Sequence, residues 1–228
     1  MKQILGAVAL AVVATSAGAQ VGHLPQNSPY RDVETNQEFT FFGGHYSAGG
    51  DVLDVTPHGG PMFGIRYEKH LGGPAFLMAR WSHVNSERNA IDPTKAGAAA
   101  QLGRKNVSLN LYDLNLALNL TGQKSFHHIV PIINFGVGVA SCGCTVKPDP
   151  YKFGTPFAFS FGGGLRYVPG GRFQLRVDWN DYLYQLKYPT QYYSNTTGAG
   201  TAAPSGQARS FWKNNGALTI GASLLFFQ

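Results

Sequence analysis

Apolar and small or polar side chains alternate along Gly216 to Phe227 (GALTIGASLLFF). On a strand this places Leu218, Ile220, Ala222, Leu224 and Phe226 on one face and Ala217, Thr219, Gly221 and Ser223 on the other. A soluble core strand carries its bulk toward the core, whereas this bulky face suits lipid and the lean face suits a crowded interior. The same period-two reading predicts seven more strands: Glu38–Tyr46, Gly60–Lys69, Pro74–His83, Val107–Leu120, Ile129–Ala140, Phe157–Tyr167 and Phe173–Leu183. In Ile129–Ala140 the odd positions Ile133, Phe135, Val137 and Val139 oppose Asn134, Gly136 and Gly138. In Val107–Leu120 the apolar phase flips between Leu111 and Tyr112, which predicts a β-bulge there.

The connections sort into two kinds. His70–Gly73, Thr121–His128 and Val168–Gly171 are short and turn-like, whereas Ser47–Gly59, Val84–Asn106, Ser141–Pro156 and Tyr184–Asn215 are long and polar. Strict alternation of long with short predicts an all-β, eight-stranded antiparallel up-and-down transmembrane barrel with turns at one end and loops at the other. The N-terminus supports export. Lys2 gives a positive start, Ile4–Ala14 is apolar, and Ala17-Gly18-Ala19 fits a cleavage site, so residues 1–19 read as a signal peptide. Residues 20–37 then read as a periplasmic N-terminal extension and residues 38–228 as the barrel, with no anchor domain expected after it. The leader's apolar stretch is about half of what a spanning helix needs, so any spanning falls to strands.

Composition narrows the class. Aromatic residues at 13% match charged residues at 13%, where a soluble chain carries about a quarter charged. Twenty-nine glycines suit strand bends and a tight lumen. Loss of Lys2 with the leader leaves 17 basic against 12 acidic side chains, too small an excess to imply nucleic acid.

From about Gln37 onward the chain resembles the small eight-stranded bacterial outer-membrane β-barrels, the family of the OmpA membrane domain, OmpX and OmpW. The terminal strand carries part of that resemblance: Leu218, Ile220, Leu224 and Phe226 form the alternating pattern that the outer-membrane assembly machinery recognises, although Gln228 follows the final aromatic. The resemblance implies an outer-membrane location, contact with outer-membrane lipid and lipopolysaccharide, no cofactor, and a structural or surface-interaction role. A small OmpW-like channel and a lipid A-modifying enzyme are the alternatives. A soluble lipocalin-like barrel is a further rival, and it would turn the bulky faces inward.

If the bulky faces meet lipid, Arg66, Glu68, Arg80, Asp113, Arg166, Arg176 and Asp178 all take the lumen phase. Eight strands enclose only enough space for side chains to fill, so these charges form either a plug or, less simply, a gate or a binding cleft. His83-Val84-Asn85-Ser86 invites comparison with PagL, a lipid A deacylase on an eight-stranded barrel that pairs histidine with a serine two residues on. Here Ser86 is three residues on, which puts it on the face opposite His83 and argues against catalysis. Cys142 and Cys144 are expected to close a local disulfide, with free thiols or a metal as alternatives. No second pair completes a four-thiolate zinc site, so no metal centre is expected. Arg88, Lys95, Arg104, Lys105, Lys147, Lys152, Lys187, Arg209 and Lys213 outnumber Asp51, Asp54, Glu87, Asp92 and Asp149 in the long connections, which suits lipopolysaccharide phosphates or plain solvation. Tyr188, Tyr192, Tyr193, Phe211 and Trp212 read as a binding loop or an interfacial girdle.

Overall fold

The computed structural model describes residues 28–33, 35–95, 97–194, 201–204 and 206–226. The leader over residues 1–19, residues 20–27 of the extension with His23, and the terminal Phe227 and Gln228 lie outside the described residues. Among the described residues ten strands form: β1 (Tyr30–Asp32), β2 (Gln37–Ser47), β3 (Gly60–Gly72), β4 (Ala75–Ile91), β5 (Gln101–Asn119), β6 (Lys124–Phe126), β7 (Ile129–Cys142), β8 (Phe157–Tyr167), β9 (Phe173–Lys187) and β10 (Ser210–Phe226). The long ones pair antiparallel in the order β7-β5-β4-β3-β2-β10-β9-β8, and β7 pairs β8 to close the ring. The architecture is an eight-stranded up-and-down transmembrane barrel.

Alternation decides the faces. Phe41 is 65% exposed and Ile220 63% on the outside, while Thr40 and Thr219, one residue away on the same strands, are buried inside. The outward apolar band includes Phe63, Leu114, Phe135, Phe161 and Val177, and on β10 it runs from Leu218 to Phe226. Every backbone group along these spans finds a neighbour strand, as a hydrocarbon setting requires. A lipocalin-like arrangement, with bulk inside and charge outside, is the reverse of what these faces show.

Three expectations need correction. First, no bulge separates Leu111 from Tyr112: Leu111 pairs Ser82 and Tyr112 pairs Trp81 in unbroken register. The backbone phase is constant, and the lumen itself changes chemistry, since Leu109 and Leu111 are buried on the same inner face as Asp113 and Asn115. The register shifts instead between Asn89 and Ile91, opposite Gly103 at φ +73°. Second, much of the connection read as Val84–Asn106 is a β-ribbon, because β4 reaches Ile91 and β5 starts at Gln101. Its outward positions Asn85, Glu87 and Asn89 are polar, so a search for apolar alternation stops too early. The strands β9 and β10 likewise extend to Lys187 and from Ser210, into the connection read as Tyr184–Asn215. Third, the extension and the turn Thr121–His128 hold strands of their own, since β1 pairs β6 with Arg31 opposite Ser125.

That last pairing ties the N-terminal segment to the short-turn end of the barrel. Val33 N donates to Gln123 O at 2.8 Å beside the β5–β7 connection, and His70 N donates to Asn36 O at 2.8 Å beside β3. In the ring β7 stands four strands from β2 by either route, so the hydrogen bonds of Val33 and Asn36 lie near opposite walls, and Thr35 is buried.

Candidate functional site

The lumen divides into two chambers. Toward the short turns the ladder sets like charges side by side: Glu38 faces Glu68, Arg66 faces Arg80, and Arg166 faces Arg176. Like charges directly opposite are unfavourable on a sheet, so most compensation has to come from across the barrel. Arg66 Nη2 donates to Asp178 Oδ2 at 2.9 Å, joining β3 to β9. Arg176 Nη1 donates to Glu68 Oε1 at 2.6 Å in the other direction, and Arg176 Nη2 to Asp178 Oδ1 at 3.2 Å. Arg166 Nη2 reaches Glu68 Oε2 at 2.7 Å, from β8 to β3 across the full diameter. The separate pair Arg80–Asp113 joins neighbouring strands, with Arg80 Nε at 3.0 and 3.1 Å from the two carboxylate oxygens.

All seven residues expected in the lumen lie there, each at most 7% exposed. Sequence reading missed Glu38, whose carboxylate lies 3.2 Å from Arg166 and 3.4 Å from Arg176. Its signal was phase alone, two residues before the inward Thr40. With Glu38 included, four carboxylates answer four guanidiniums. Arg66, Arg80 and Arg166 also lie over the rings of Phe42, Tyr182 and Phe76 at 5.3 to 5.4 Å, so apolar rings cover the guanidinium faces the carboxylates leave free. The fit is tight: a Cβ on Gly164 would come 2.5 Å from Asp178 Oδ1.

Toward the long connections the filling turns aromatic and apolar. Tyr46 and Tyr184 share a hydroxyl hydrogen bond of 2.8 Å amid Met62, Leu109, Tyr151, Phe153 and Tyr192. Arg88 and Lys213, read as loop surface, are buried here instead. Arg88 Nη1 donates to Asp149 Oδ2 at 2.7 Å and its Nε to Cys144 O at 2.8 Å, while Tyr192 OH and Tyr151 N donate to Asp149 Oδ1. Lys213 Nζ donates to Pro57 O at 2.9 Å and to Thr56 Oγ1. This chamber lies beyond the apolar band, where burial lowers the Lys213 ammonium to about 8 although Asp51 and Asp54 pull the other way. Burial also pushes up the phenols of Tyr151 and Tyr192, the latter further raised by Asp149. Tyr188 and Tyr192, read as a girdle or binding loop, are core residues, whereas Trp212 is exposed outside. Three long connections therefore dock into one plug because strand-borne cations and connection-borne acceptors meet inside it.

His83 points outward, its ring nitrogens 2.9 Å from Asn110 Oδ1 and 3.2 Å from Asn85 Oδ1, while Ser86 points inward and donates to His58 O at 2.7 Å. The structure does not bring those two together. Cys142 and Cys144 are joined by a disulfide at the end of β7, with Cα atoms 5.1 Å apart. Leu218, Ile220, Leu224 and Phe226 line the outer face of β10.

No protein-family model and no curated protein matches the chain. Solved structures do. Neisserial surface protein A superposes with a TM-score of 0.53 at 9% identity, covering 83% of this chain and 97% of that one. The outer membrane protein AlkL, solved in DMPC lipid bilayers, gives 0.48 at 15% identity over 91% and 97% of the two chains. Ail, the attachment invasion locus protein of Yersinia pestis, gives 0.44 at 11% identity over 86% and 100%. The chain has the fold of the small eight-stranded outer-membrane β-barrels.

Proposed function

We propose that the protein is exported through its N-terminal leader and resides in the outer membrane as a closed, non-enzymatic barrel with a structural or surface-interaction role. The turns face the periplasm and the long connections the outside. The observation that carries this reading is the set of ion pairs meeting across the barrel axis, capped by an aromatic plug, inside a wall whose outer face is apolar. Such a lumen offers no water column for a solute and no cleft for a substrate. The outer face of β10 serves as the signal to the assembly machinery, and outer-leaflet lipid with lipopolysaccharide surrounds the wall. Cell fractionation combined with gel mobility before and after boiling tests the reading. Recovery in the membrane fraction with a heat-dependent shift is the expected result, because a closed barrel has no edge from which to unzip. Recovery as a soluble periplasmic protein without a shift would overturn it.

A further inference from the structure

Above the apolar band the outer face of the β4–β5 ribbon becomes polar row by row. Trp81 opposite Tyr112 marks the rim, and His83 opposite Asn110 forms the next row. Farther out Asn85 faces Ser108, Glu87 faces Asn106, and Asn89 faces Arg104, each row about 7 Å beyond the last along the strands. Asn85, Glu87, Arg104, Asn106 and Ser108 line an open cleft of about 680 Å³. Gly143, whose N–H donates to Ser108 O at 2.9 Å, adds no side chain on the β7 side, so the cleft stays open there.

The chemistry of this face is specific. The guanidinium of Arg104 lies 3.7 Å from the carboxylate of Glu87, and His58, which also lines the cleft, lies 2.7 Å from Asp54, so a phosphate entering it would meet each basic group already beside a carboxylate. The other polar side chains of the lining are the amides of Asn85 and Asn106 and the hydroxyls of Ser86 and Ser108, groups that both donate and accept. His83, one row below, holds Asn85 of the cleft with one ring nitrogen and Asn110, beneath the cleft, with the other. The ring of Phe63, one row below Pro61 and outside the lining, stands edge-on to Trp81 at 6.3 Å and tilted to His83 at 5.1 Å. Polar groups that donate and accept beside the exposed ring of Pro61 match a sugar, which presents hydroxyls at its rim and C–H groups on its face. The cleft opens sideways from the wall, within three rows of the lipid boundary, so a glycan standing beside the barrel in the same membrane reaches it more readily than one arriving from above.

We propose that this cleft binds the uncharged core sugars of a neighbouring lipopolysaccharide. The proposal rests on the outer-membrane reading for the source of the glycan, but the cleft's chemistry can be tested without it. The probe is core oligosaccharide released from lipid A by mild acid and dephosphorylated, titrated into the purified full-length barrel in detergent micelles. Quenching of tryptophan fluorescence and amide shifts at Asn85, Asn106 and Ser108 report binding. Ser108→Tyr, which fills the cleft from an outward position, and Asn106→Ala should each weaken binding by about tenfold or more, while Lys187→Ala on the opposite wall leaves it unchanged. Heat-dependent gel mobility verifies that each variant has folded. Absence of binding, equal binding by wild type and both cleft variants, or displacement by inorganic phosphate would overturn the proposal. Intact lipopolysaccharide should co-purify with wild type and less with Ser108→Tyr. Undiminished co-purification alongside lost oligosaccharide binding would overturn the membrane source. A soluble periplasmic location with oligosaccharide binding intact would reject the outer-membrane reading and its lipopolysaccharide source, leaving the cleft's sugar chemistry standing.

Discussion

Replacing Asp178 with alanine removes the carboxylate that accepts from Arg66 at 2.9 Å and from Arg176 at 3.2 Å. The two arginines lose unequally. Arg176 keeps Glu68 at 2.6 Å and Glu38 at 3.4 Å, whereas Arg66 keeps Glu68 at 3.7 Å while still facing Arg80 across the ladder. A buried charge stranded in this way costs about 3 to 5 kcal/mol, a fall of at least about a hundredfold in the folded-to-unfolded ratio. Urea unfolding in lipid vesicles, followed by tryptophan fluorescence, measures it. The companion double variant Asp178→Ala with Arg66→Met removes the stranded charge and keeps an apolar stem over Phe42, so it should recover a large part of the loss. Two results would refute the reasoning. One is Asp178→Ala within about 1 kcal/mol of wild type, the range of an exposed ion pair. The other is a double variant worse than the single, which would mean that Arg66 is held by something besides its acids.

In planar bilayers the wild-type barrel should pass no steady current, since Arg166 and Glu68 meet from opposite walls; large, salt-dependent conductance would move the channel reading to first place. Lys213 gives a pH dependence: its folded value is about 8 against 10.5 when free, so below pH 8 the penalty of burying the ammonium is fully present. Between those values the unfolded state holds more protons, and stability should rise with pH. Proteolysis within residues 48–59 should therefore slow from pH 7 to pH 9.5 in wild type, once corrected for the protease's own profile, and lose that dependence in Lys213→Met. The β1–β6 pairing is tested by Arg31→Cys with Ser125→Cys, a directly opposed pair that should form a disulfide while the folded band keeps its mobility.

What the sequence made legible was whatever lipid imposes on every second residue. The run Phe157–Tyr167 is read to the residue, because every outward position but Gly163 is large and apolar. Legibility failed where lipid stops acting. Above the band, Asn85, Glu87 and Asn89 still alternate with Val84, Ser86 and Arg88, yet polarity no longer separates the faces, so strand passed for loop. The bulge expected at Leu111 failed for the complementary reason: an apolar residue was assumed to face lipid, and the inner chamber there is itself apolar. Glu38 was passed over at a strand's first turn inward, and Arg88 and Lys213 were assigned by segment when their partners Asp149 and Pro57 come from connections remote in sequence. Pairings of that kind follow from closure of the ring, which no local pattern encodes.

The two chambers answer different demands of one narrow tube. Where the wall is surrounded by lipid, side chains from eight strands already converge on the axis, and charges placed alike on neighbouring strands must be answered from the far wall, so the ion pairs act as struts across the diameter. Beyond the band the strands continue without lipid around them, and the interior is filled by connections folding back: Asp149 onto Arg88, Thr56 and Pro57 onto Lys213, Tyr192 into the ring of tyrosines. At the short-turn end, Val33 and Asn36 share backbone hydrogen bonds with Gln123 and His70. On the outer wall the β4–β5 ribbon changes, in unbroken register, from the rings of Trp81 and Tyr112 through His83 and Asn110 to the polar rows Asn85–Ser108, Glu87–Asn106 and Asn89–Arg104, because beyond the band no lipid selects for apolar side chains.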